Sequence, residues 1–63
     1  MRQNYTQWEG DVINLVAHNM EMTYSDATGV VDVESFAMRQ AWSLGLNAED
    51  AAKKIEASSN ARN

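Results

Sequence analysis

The chain has no cysteine, so disulfides are excluded and a thiolate zinc site cannot be built. Packing, alone or with a partner, must hold the fold. Long apolar runs are missing too. Nothing approaches the roughly 18 consecutive apolar residues of a membrane span, and the opening MRQNYTQWEG lacks the apolar centre of a signal peptide. The expectation is a complete cytoplasmic polypeptide with no membrane partner. Basic residues are few: five against nine acids give a formal charge of −4, with the acids scattered rather than run together. That balance withholds the counterion-release term on which nucleic-acid binding depends. There is one histidine, and no glycine-rich loop precedes a helix to cradle phosphate.

What is present points to one helical domain. Sixty-three residues, 44% of them apolar, are too hydrophobic for a disordered tail. A chain this short buries only roughly 60% of the surface its unfolded form exposes, so stability will be modest.

The stretch Ser25 to Leu46 organises the chain. On a helical wheel Ala27, Val30, Val31, Val33, Ala37, Met38, Ala41, Trp42 and Leu44 fill more than half the circumference. Thr28, Asp32, Ser35, Arg39 and Ser43 share the rest. An arc that wide needs two neighbours, which makes this helix the centre of an all-α three-helix bundle. The reading is an antiparallel hairpin over 7–21 and 25–44 plus a short helix over 48–57. These form a single domain over residues 1–57, followed by a disordered polar tail, 58–63. Thr6 and Glu9 suggest a capping box for the first helix, and Asn47 with Asp50 a weaker one for the third. Either Thr23 or Ser25 can cap the second. Gly45 falls where a left-handed C-terminal cap is wanted. The glycine and three valines of Gly29 to Val33 also fit a turn followed by a short extended segment, so residues 26–33 carry two readings. The hairpin register brings Trp8 level with Trp42 at one end of the core.

Chemistry is sparse. Asp11, Asn14, His18 and Glu21 share one strip of the first helix, where His18 with a carboxylate could ligate a metal or act as an oriented base, or the strip could be a solvated face. With one histidine and no cysteine, zinc would have to be held mostly by carboxylates, which is uncommon. No serine lies near the histidine to serve as a nucleophile. The expectation is no enzyme, no cofactor and no metal.

Gly45 to Ile55, GLNAEDAAKKI, resembles the turn and helix of helix-turn-helix regulators, and also the first loop and next helix of ubiquitin-associated domains. Both families need a further helix beyond this point, and the eight residues after Ile55 are polar, with one arginine. The resemblance therefore carries no function across.

By exclusion, the sequence reads as a small intracellular protein-protein interaction module whose partner is another protein or a second copy. Compact acidic proteins of this kind are common products of phages and mobile elements. The rival class is a DNA-associated regulator acting as an oligomer, which would have to gather Arg2, Arg39, Lys53, Lys54 and Arg62 into one surface. Candidate binding residues are Met20, Met22 and Tyr24 at the far end of the hairpin, with core filler the first reading for the methionines. Phe36 lies off the main apolar arc. Glu34 lies in the middle of that arc. Either its carboxylate escapes through a seam to water, Lys53 or Lys54, or it marks a binding face and penalises wrong partners.

Overall fold

Asn4 opens the first helix, and it does so two residues earlier than the Thr6 capping box would. In the computed structural model, which describes residues 4–61, the Asn4 side chain accepts from the Gln7 amide at 2.9 Å and its carbonyl from the Trp8 amide at 3.1 Å. Helix α1 then runs Tyr5–Asn19. The earlier start places Tyr5 one turn before Trp8 on the same face.

At its C-terminal end the chain turns through two backbone bonds, Met22 N–H to Ala17 O at 2.9 Å and Glu21 N–H to His18 O at 3.4 Å. This pairing requires a left-handed residue between them. Glu21 takes that place at φ 54° where glycine would be at ease. Thr23 caps the next helix by accepting from the Asp26 amide at 3.1 Å. Helix α2 spans Tyr24–Val33, so the extended alternative for residues 26–33 is not the one adopted.

The expected helix 25–44 is two helices. Glu34 sits at φ −96°, ψ 35°, and helix α3 occupies Ser35–Ser43. Hydrogen bonding continues across the bend. The Glu34 N–H is shared between Val30 O and Val31 O at 3.1 Å each, and its carbonyl accepts from the Met38 amide at 3.0 Å. The bend falls directly after Gly29-Val30-Val31-Asp32-Val33, where glycine and β-branched residues weaken the helix. A single unbroken wheel therefore mis-phases the segment. Val33 and Leu44, assigned to the core arc, are 61% and 68% exposed, whereas Ala27, Val31, Ala37, Met38 and Ala41 are buried.

Gly45, at φ 75°, closes α3 with Leu46 N–H to Ala41 O and Gly45 N–H to Trp42 O, both 3.1 Å, as its position after Leu44 leads one to expect. Asn47 then accepts from the Asp50 amide at 2.8 Å and starts α4, Ala48–Ala61. This helix does not stop at Ala57. The segment 58–61, expected to be a disordered tail, continues it; residues 62 and 63 lie outside the described residues.

Among the described residues the architecture is an all-α bundle of four helices rather than three. The most extensive helix pair is α1 with α4, while α2 leans on α1 and α3 on α4. The centre is therefore shared by the first and last helices, not held by the middle segment. Ala51, Ala52 and Ile55 are fully buried, the two alanines allowing α4 to approach its neighbours closely while Ile55 fills the core. Trp8, Val12, Ile13 and Val16 supply the α1 side of the core. Trp8 Nε1–H donates to Leu46 O at 3.0 Å, just before α4 begins. Asn19, at the end of α1, donates to Glu56 Oε2 at 2.9 Å. The two helices thus run parallel, and the α2–α3 arm carries the chain back between them. Among the described residues no helix is long and apolar enough to cross a membrane.

The expected meeting of the tryptophans is present. Their ring centroids are 5.0 Å apart, and Tyr5 stands 5.5 Å from Trp8 and 5.2 Å from Trp42, edge-on to the latter. Aromatic pairs at such separations add roughly 0.5–1.5 kcal/mol beyond the area they bury. Burial raises the Tyr5 phenol above its usual 10.0, with the nearby Glu9 carboxylate adding to the rise and Arg39 opposing it.

Candidate interaction surface

The residues proposed for binding separate into four environments. Met20 and Met22 are half-buried and pack against the core, which favours the filler role. Tyr24 is half-exposed, with its hydroxyl lying 3.9 Å from where a Cβ on Gly10 would stand. Glu34 is only 6% exposed, and Ser58 Oγ–H donates to its Oε1 at 2.8 Å. That partner comes from the segment expected to be a tail, which is why sequence reasoning looked to lysine or water instead. A carboxylate so covered presents no surface of its own; it ties the α2–α3 bend to the last turns of α4.

Phe36 is different. At 76% exposure it is the most open of the large apolar side chains among the described residues. It borders a shallow cleft of about 270 Å³ with Arg39, Gln40 and Ser43. Positions 36, 40 and 44 form one row along α3 at four-residue spacing, so Phe36, Gln40 and Leu44 follow each other on the same outward strip. Val33 stands just before it at the bend. Val33, Phe36 and Leu44 are exposed large apolar side chains along this segment, and no other described helix buries them. Its electrostatics are equally distinct. None of the nine acids falls between Ser35 and Ala48, and Arg39 is the single charge there. One unbroken wheel turns Val33 and Leu44 inward, whereas both are exposed; the four-residue spacing of Phe36, Gln40 and Leu44 is the sequence signal for this candidate surface.

A second, larger cleft of about 450 Å³ lies where α1 passes the start of α4, lined by Asp11, Asn14, Leu15, Asn47, Ala48 and Glu49. Asp11, Asn14, His18 and Glu21 are all exposed along α1. Among the described residues no three histidine, aspartate or glutamate side chains are grouped so as to hold a metal ion. Compared with protein-family models, curated proteins and solved structures, the chain matches none. The surface has to be read from its own chemistry.

Proposed function

We propose that this is a small intracellular protein-protein interaction module without catalytic chemistry, working through the outer face of α3. The observation that carries the reading is the exposure of Val33, Phe36 and Leu44 together. Single exposed apolar residues are ordinary, but a contiguous group on a small domain is characteristic of a contact surface. Covering each side chain is worth roughly 1–2 kcal/mol at these exposures. Their sum is of the same order as the lower estimates for the cost of association, so the contact is reversible rather than permanent. The test is affinity capture from the native cell with the wild-type chain and with Phe36→Ser/Leu44→Ser, both checked for unchanged helicity. Specific retention by the wild type and its loss in the variant supports the reading. Equal retention by both removes the α3 face from it. Binding of the wild type to a mixed DNA pool at low salt, abolished by Arg39→Gln, would favour the regulator class instead.

A further inference from the structure

Resting on that reading, we infer that the partner of the α3 face is a second copy of the same chain, packed antiparallel about a two-fold axis through Gln40. Three observations converge on it. The first is placement. Phe36 and Leu44 lie four residues before and four residues after Gln40, roughly 6 Å along the helix in each direction. A two-fold at Gln40 therefore carries Phe36 of one copy onto Leu44 of the other, and the reverse, making two identical apolar contacts. Self-complementarity of this kind is what an isologous interface demands.

The second is the side chain on the axis. An amide has both donors and an acceptor, so Gln40 can pair with its own copy reciprocally. A partner that covered the strip with apolar groups alone would leave that amide unpaired on burial, which is costly. The third is charge. The molecule carries −4, but no acid lies between Ser35 and Ala48, and of the two acids flanking Val33, Glu34 is buried. Two copies meeting here keep their carboxylates at the periphery, and the two-fold sends the two Arg39 side chains to opposite flanks. The nearest exposed carboxylate, Asp32, stands at the end of the strip beside Val33 rather than at its centre.

The strip from Val33 to Leu44 is short, roughly 18 Å of helix. Two such strips bury less than the roughly 1,200 Å² of a stable interface, so the dimer is weak. Sedimentation equilibrium of the wild type from about 10 µM to about 1 mM covers the range such a contact occupies. The expected result is an average mass that rises with concentration toward twice that of the chain. Gln40 is exposed, so Gln40→Glu and Gln40→Lys should fold normally. Each alone places like charges on the axis and should weaken association at least about tenfold. An equimolar mixture of the two should restore it, because one carboxylate then faces one ammonium. Phe36→Asp should be monomeric throughout with unchanged helicity. A wild type that stays monomeric at about 1 mM overturns the inference, as does a dimer indifferent to Gln40 and Phe36 or a mixture that fails to reassociate. A monomer whose α3 face still captures a different protein overturns the self-pairing alone, whereas a monomer that captures nothing through that face removes the interaction reading as well.

Discussion

At the scale of single residues, the buried Glu34 accepts a hydrogen bond from Ser58. Removing one hydroxyl strands part of a carboxylate that is 6% exposed, and hydrogen bonds to charged groups are worth more than neutral ones. Ser58→Ala should therefore lower stability by about 1–2 kcal/mol, read as a fall of roughly 8–15 °C in melting temperature for a domain of this size. In a double-mutant cycle with Glu34→Gln, a coupling near zero would show that the bond at 2.8 Å contributes nothing. Glu21 offers the opposite opportunity. A non-glycine residue held at φ 54° sits in a region disfavoured by about 1–2 kcal/mol for L-amino acids. Glu21→Gly should raise the denaturation midpoint, by about 0.5–1 kcal/mol once glycine's greater freedom in the unfolded chain is subtracted. Tyr5 adds a pH dependence. Its phenol is raised above 10.0 in the fold, so the folded state holds the proton that the unfolded chain has begun to release. This contribution is complete below pH 10 and is lost as pH rises through the folded value. Urea melts of wild type and Tyr5→Phe should therefore diverge only on the alkaline side, with the variant keeping more of its neutral-pH stability.

At the scale of elements, the sequence disclosed caps and the type of each helix better than it disclosed lengths. Gly45 and Asn47 are legible because a left-handed residue and an amide-accepting side chain act within four residues of themselves. The length of α4 was not legible, since Ser58 and Ser59 are weak helix formers and the partner Ser58 finds lies 24 positions away at Glu34. Nor was the bend at Glu34, which needs no proline and costs no hydrogen bond at its own amide. Truncation after Ala57 separates the two accounts: a polar tail would leave the melting temperature unchanged, and the helix observed here should lose about as much as Ser58→Ala or more. Truncation from Asn47 onward removes the fully buried Ala51, Ala52 and Ile55. Deleting a single buried isoleucine side chain costs about 2–5 kcal/mol, so the remaining hairpin should melt or aggregate. A shortened chain that remains folded and monomeric would show α4 to be an appendage.

At the scale of the molecule, the two poles of the bundle are fastened differently. One is closed by Tyr5, Trp8, Trp42 and the Leu46 carbonyl, and the Glu34 bend is tied down by Ser58 further along α4. The chain has only two tryptophans, and both are in the first group. Its intrinsic fluorescence is consequently a local instrument that reports the pole where α3 hands over to α4. Far-ultraviolet dichroism averages over every helix, including the bend that the indoles do not touch. In the wild type the two signals should change together on heating, as one cooperative domain requires. In Ser58→Ala the dichroism should begin to fall first, with the coupled indoles keeping their native emission until the whole bundle gives way.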